Sequence, residues 1–124
     1  ALATSSRTLT VTTRTLDSLI PWKERAVSFI KCDVEGHELA CLKGSVSLME
    51  HIHPSWLIEI WGDLDESGSQ ALATVEFLRT FGYRPFIFDG SLFHPRAKGE
   101  QDVNYFFFTD EHVAQLGQFL KAAS

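Results

Sequence analysis

The stretch FIKCDVEGHELAC, residues 29–41, sets two thiols, one imidazole and three carboxylates around a single glycine. Two kinds of chemistry could use such a mixture. Cys32, His37 and Cys41 are side chains that zinc accepts. Asp33 and Glu35, together with Glu59 in the apolar run LIEIW further along, are carboxylates that can hold a cation or take a proton from a hydroxyl.

The metal chemistry fails on geometry. On a helix, His37 and Cys41 lie four positions apart, on the side opposite a stripe of Leu39, Leu42, Val46 and Met49. That stripe is expected to face a sheet, so His37 and Cys41 are expected to point outward. Cys32 alternates with Ile30 and Val34 on a strand and is expected inside. Three ligands do not converge from those directions. His37-Glu38 also lacks the second histidine that a metalloprotease helix needs, and His51-Ile52-His53 reads as a solvated helix exit. No metal is expected.

The carboxylates fit better. In an open parallel sheet, ligands bind outside the carboxyl ends of the strands, and Asp33 and Glu35 sit at such an end. Asp33 reads equally as a helix cap or as a ligand contact, and Glu35 also as a favourable charge in a first helical turn. Glu59 is more demanding, because a carboxylate within LIEIW is costly to bury unpaired. It needs a cation, a hydrogen-bond donor or the mouth of a site. Trp56 and Trp61 flank the same strand, as pocket walls or as core.

These residues require elements to hold them. Apolar runs at 27–34, 55–61, 84–88 and 103–108 read as strands, with residues 9–13 as a threonine-rich half-buried or edge strand. Pro85 favours an edge position for its strand. Helical spacing predicts a helix over 35–49, weakened or broken at Gly44, and another from Ala71 to Phe81 with Gly82 just beyond it. A last helix, capped by Thr109 or Asp110, carries Val113, Leu116 and Leu120. Residues 16–20 make a short helical turn ahead of Pro21, and residues 62–69 and 89–102 are loops. Strands alternating with helices predict an α/β domain with a mostly parallel sheet.

The 124 residues suit one domain, and 44% hydrophobic content is ordinary for a globular chain. Eleven basic against sixteen acidic residues leave a formal charge of −5. No basic stripe offers a nucleic-acid footprint, and no apolar run approaches the roughly 20 residues that span a bilayer. Two cysteines do not make a disulfide framework, so reduced thiols and a cytoplasmic location are expected.

Several motifs, taken together, resemble the FkbM-type methyltransferase family. They are Thr15-Leu16-Asp17, then Lys31-Cys32-Asp33-Val34-Glu35-Gly36-His37-Glu38, then Leu42-Lys43-Gly44. Pro54 with Leu57-Ile58-Glu59-Ile60, Leu78 with Phe81-Gly82-Tyr83, and Asn104-Tyr105-Phe106-Phe107 follow in order. The resemblance spans about residues 10–108, and its most specific part is the stretch from Lys31 to Glu38.

The resemblance implies an S-adenosylmethionine-dependent methyltransferase with a partial Rossmann-like sheet and an antiparallel strand near the end. Methyl would pass to a hydroxyl of a small or sugar-containing acceptor. It makes Lys31 to Glu35 the fourth strand of that fold and the turn after it, against the methionine end of the cofactor. Asp33, Val34 and Glu35 are then the cofactor-binding residues, and Asp33, Glu35 and Glu59 the catalytic set, with Asp33 central. The family's glycine-rich first turn is missing, so residues 1–124 are expected to form the carboxyl-terminal half of the domain. The other reading is a non-catalytic remnant serving as an assembly or interaction module. In the family the first strand lies beside residues 29–34. Without it this run is an exposed edge, so a homodimer through Ile30 and Cys32 is expected.

Overall fold

A computed structural model describes residues 29–33 and 36–121. The strand expected at 9–13 and the helical turn at 16–20 lie outside the described residues, as do Val34 and Glu35. Ten elements follow in order. Strand β1 is Phe29–Cys32, helices α1 and α2 are Glu38–Lys43 and Val46–His51, and β2 is Ser55–Glu59. Helix α3 is Gln70–Arg79, followed by β3 Arg84–Phe88, β4 Phe93–Pro95 and β5 Asn104–Phe108. Helix α4, Asp110–Leu116, runs into a 3₁₀ turn, Gly117–Phe119.

The five strands form one sheet in the order β1-β2-β5-β3-β4. Only β1 and β2 pair in parallel; β2–β5, β5–β3 and β3–β4 are antiparallel. The expected mostly parallel sheet is therefore corrected to a mixed α/β sheet that is mostly antiparallel among the described residues. The reason is one of adjacency. Since β2 and β3 both oppose β5, they run the same way, as the helical crossover through α3 requires. The chain then returns and lays β5 between them. Alternation of strands and helices reports direction, not which strands become neighbours.

Period-two alternation gives each face its own population. Ile30, Cys32, Trp56, Ile58, Tyr105, Phe107 and Ile87 face the helices, in a cluster with Leu42 and Met49 from α1 and α2 and with Ala71, Val75 and Leu78 from α3. The opposite face carries Leu57 and an aromatic group in which Phe93 lies 4.9 Å from Phe106 and 5.2 Å from Phe108, centroid to centroid. Phe88 closes on Phe93 at 4.9 Å.

The helix expected over 35–49 begins later and is cut in two at Gly44-Ser45. Ser45 Oγ donates to the Cys41 carbonyl at 2.8 Å, capping the first piece with a side chain instead of a further turn. The cut shifts the buried face. Leu42, Leu48 and Met49 are fully buried, while Leu39 and Val46 are only half-buried. Cys41 is corrected too: it packs against the core cluster that contains Cys32 instead of pointing away.

Helix α3 starts where Ser69 Oγ accepts the Leu72 N–H at 3.0 Å, and Gly82, at φ +90°, turns the chain out of it. Helix α4 opens with a capping box. Thr109 Oγ accepts from the His112 N–H, and His112 Nδ1 accepts from the Thr109 N–H at 3.0 Å. That fixes the tautomer, so His112 Nε2 donates to the His53 carbonyl at 2.7 Å and holds the left-handed turn at His53, φ +54°. Leu120 lies beyond the helix and bridges to Phe93.

Two expectations about the later chain are revised. Pro85 is not on an edge strand, since β3 has neighbours on both sides; its missing N–H is tolerated because the β4 ladder begins only at Phe86. The loop 89–102 contains β4 and folds back on residues 62–69. There Arg96 grips Asp65 with two nitrogens, at 2.7 and 2.8 Å, and Gly99 N–H donates to the same carboxylate at 2.8 Å.

Two predictions follow from these contacts. Tyr83 is fully buried and its hydroxyl donates to the Pro54 carbonyl at 2.6 Å. Tyr83→Phe leaves that buried carbonyl without a donor, and urea unfolding should show a loss of about 1–3 kcal/mol; an unchanged midpoint would contradict this role. The Arg96 guanidinium, then the Gly99 N–H, hold the Asp65 carboxyl down from its ordinary 3.8 to about 2. Its stabilising effect is complete above 3.8 and disappears as pH falls through about 2. Unfolding midpoints measured across that window should fall less steeply for Asp65→Asn than for the wild type.

Candidate functional site

Parallel pairing of β1 with β2 sets Cys32 opposite Ile58, so both strands end at the same edge of the sheet. Asp33 follows β1 directly and is exposed, and Glu59 is the last residue of β2 and half-buried. The two carboxylates thus leave the carboxyl ends of adjacent parallel strands, where open sheets take ligands. Asp33 is no cap for α1, whose N-cap position is held by His37 without a side-chain hydrogen bond. Glu59 meets its need for a partner through the Trp61 indole, whose Nε1–H donates to its carboxylate at 2.9 Å. Trp61 itself is 66% exposed, so it stands as a wall in solvent and not as core. Trp56 is fully buried.

The turn after β1 is built around Gly36, at φ +90°. A side chain there would be strained, which is why the turn needs glycine. Glu38, at the start of α1, is 6% exposed and accepts the Gly36 N–H at 3.0 Å. The Gln70 amide, from the first turn of α3, donates to the Gly36 carbonyl at 2.8 Å. Both polar groups of this peptide stretch are therefore held by side chains from two helices. Glu38 belongs to the same motif as Glu35 but was not among the expected site residues. Its position in the first turn of a helix, two residues past a glycine, was the available signal. Nothing in the sequence pointed to Gln70, which comes from 34 residues away.

Two concavities flank this end of the sheet. On the helix side, a cleft of about 60 Å³ is lined by Gly36, Glu38, Ile60, Trp61, Gln70 and Thr74, among others. On the opposite face, a groove of about 300 Å³ is lined by Lys31, Leu57, Phe88, Asp102, Asn104 and Phe106. Glu59 stands between them: Trp61, which it binds, lines the first, and Asn104, its cross-strand partner, lines the second. The structure brings Asp33 and Glu59 to one edge. Among the described residues no group of three or more His, Cys, Asp or Glu side chains could hold a metal ion. His37 is exposed, whereas Cys41, expected to point outward, is half-buried against the core cluster that contains Cys32.

A glycine-centred turn at the end of a parallel strand, with carboxylates at the ends of that strand and its neighbour, is the setting in which the comparisons with known proteins are read. Residues 2–85 match the family model described as the Methyltransferase FkbM domain. The match begins ahead of the span that the motifs suggested and stops at Pro85, so the Asn104-Tyr105-Phe106-Phe107 segment lies outside it. No curated protein and no solved structure matches the chain. The match covers well over half of the 124 residues and includes the whole stretch from Lys31 to Glu38, and the chain belongs to the FkbM methyltransferase family.

Proposed function

We propose that the protein takes part in S-adenosylmethionine-dependent methyl transfer to a hydroxyl of a small or sugar-containing acceptor. The observation that carries this reading is the common edge at which Asp33 and Glu59 leave β1 and β2, beside the turn held by Glu38 and Gln70. Family membership supports the reaction class. The residues present suit the methionine end of the cofactor, which supplies an electrophilic methyl on a cationic sulfonium. A cation is favoured beside ionised carboxylates, and an exposed indole such as Trp61 offers it an aromatic face as well.

In this reading Asp33, exposed at the strand end, orients the acceptor hydroxyl and takes its proton as the oxygen attacks. Glu59, fixed by the Trp61 N–H, keeps negative charge at the second strand end. Val34 and Glu35 complete the cofactor contacts, with Glu35 in support of Asp33. Much of the catalysis is positioning, since in-line displacement asks chiefly that donor and acceptor be aligned. The two hydrogen bonds on Gly36 serve that end by fixing the turn. Residues 1–124 act here as the half of a partial Rossmann-like domain that holds the methionine end. No helix among the described residues is long and apolar enough to cross a membrane, and two free thiols suit a cytoplasmic location.

The assembly reading is favoured by one observation: β1 is the outermost strand on its side among the described residues, and Phe29 on it is 51% exposed. A homodimer would pair two such edges through their backbones. Cys32, at 3% exposure, is already covered by its own chain, so Phe29 and Ile30 are the apolar contributors.

Titration calorimetry with S-adenosylmethionine and with its demethylated, uncharged product separates the two readings. The wild-type chain should bind both. Asp33→Asn should weaken the sulfonium compound roughly tenfold, about 1.4 kcal/mol, and the neutral product much less, with an unchanged melting temperature. Equal weakening of both ligands, or saturable binding of neither, would refute the role of Asp33. Light scattering should find a dimer at micromolar concentration, and a well-folded monomer would remove the assembly reading.

A further inference from the structure

Glu38 is a buried carboxylate that the proposed reaction uses only to brace a turn. It sits at the start of α1, 6% exposed, and among the described residues it forms no ion pair. One donor meets it, the Gly36 N–H on Oε2 at 3.0 Å, and Oε1 has none among the described residues. A carboxylate taken out of water with a single hydrogen bond is costly to hold, so it calls for a further partner. The cleft of about 60 Å³ on the helix side of the sheet opens on this side chain, and no cationic side chain lines it.

The other walls of the cleft select the partner. Gln70 Nε2 donates to the Gly36 carbonyl and the Thr74 hydroxyl to the Gln70 carbonyl, which leaves Gln70 Oε1 and Thr74 Oγ1 as acceptors. The exposed Trp61 indole adds a ring face, which attracts cations. One carboxylate with neutral oxygens suits an ammonium, whose three N–H groups need acceptors. A metal ion is poorly served, since no group of three or more His, Cys, Asp or Glu among the described residues could hold one. One water needs roughly 10–15 Å³ of such space, so the cleft admits about four, the bulk of an aminoalkyl end.

We infer that this cleft is a binding site for a primary ammonium group at the end of a short alkyl chain. Glu38 supplies the countercharge, Gln70 and Thr74 the neutral acceptors, and Trp61 the aromatic wall. The Trp61 N–H also donates to Glu59, so the cleft and the strand ends share a residue. Two molecules of the proposed reaction can bring such a group: S-adenosylmethionine through its amino-acid end, or an acceptor with a primary amine beside its hydroxyl. That consequence rests on the methyl-transfer reading given above; the ammonium site does not.

NMR titration of the full chain with 1-propylammonium, 1-propanol, tetramethylammonium and potassium ion tests the site. Propylammonium should shift the Gly36 amide and the Trp61 indole N–H saturably, and the other three probes should not. Equal shifts from any of those three, or no saturable shift from propylammonium, would overturn the inference. Glu38→Gln keeps an acceptor for the Gly36 N–H but loses the charge, and should weaken propylammonium roughly tenfold or more. Undiminished binding in that variant would also overturn it. Competition separates the two sources. If the cofactor supplies the ammonium, S-adenosylmethionine displaces propylammonium while methylthioadenosine, which lacks the amino-acid end, does not. If the acceptor supplies it, S-adenosylmethionine and propylammonium bind together. Saturable propylammonium binding with no response to S-adenosylmethionine removes the methyl-transfer reading and leaves the ammonium site standing.

Discussion

The rest of the structure depends on the insertion of β5 between β2 and β3. This strand pairs with both, and its Tyr105 and Phe107 are fully buried opposite Ile58 and Trp56. Antiparallel pairing on both sides forces β2 and β3 to run in one direction, and the parallel ladder to β1 adds a third strand of that sense. The carboxyl ends of three strands therefore fall on one edge of the sheet. Asp33 and the segments 60–69 and 89–92, which follow these strands, start at that edge as a consequence of backbone pairing, whatever side chains they carry.

Gathered loops of this acidity repel one another unless cations intervene. Residues 62–69 hold Asp63, Asp65 and Glu66, and the neighbouring loop holds Glu100 and Asp102. Arg96 supplies the intervening charge. Its side chain is only 7% exposed, it binds Asp65 with both ends of its fork, and its Nε and Nη2 also donate to the Glu100 carbonyl. Arginine suits this position because its planar donors meet a carboxylate and a carbonyl at once, which a lysine cannot do. The Glu100 side chain is spent on the Ala97 N–H and on His94. Asp33 and Glu59 are among the carboxylates of the edge that have no ion pair among the described residues.

Of the loop carboxylates, Asp65 and Glu100 are ion-paired, while Asp63, Glu66 and Asp102 have no cationic partner among the described residues, like Asp33 and Glu59 at the strand ends. The Gly36 amide and carbonyl are both bound by side chains of flanking helices.

The sequence by itself determined the elements and the family. Apolar runs marked four of the five described strands, Gly82 and Thr109 marked helix ends, and the stretch from Lys31 to Glu38 carried the family likeness. All of these depend on residues within a few positions of one another. Tertiary structure decided what depends on distant neighbours. The place of β5 made the sheet mostly antiparallel, though no local pattern differs between the two pairings. Cys41 packs against the core cluster, although the side opposite the Leu39, Leu42, Val46 and Met49 stripe was expected to point outward. Gln70 reached Gly36, and Arg96 reached Asp65, across more than thirty residues, because the loops at one sheet edge have nowhere else to satisfy their backbone amides, carbonyls and charges.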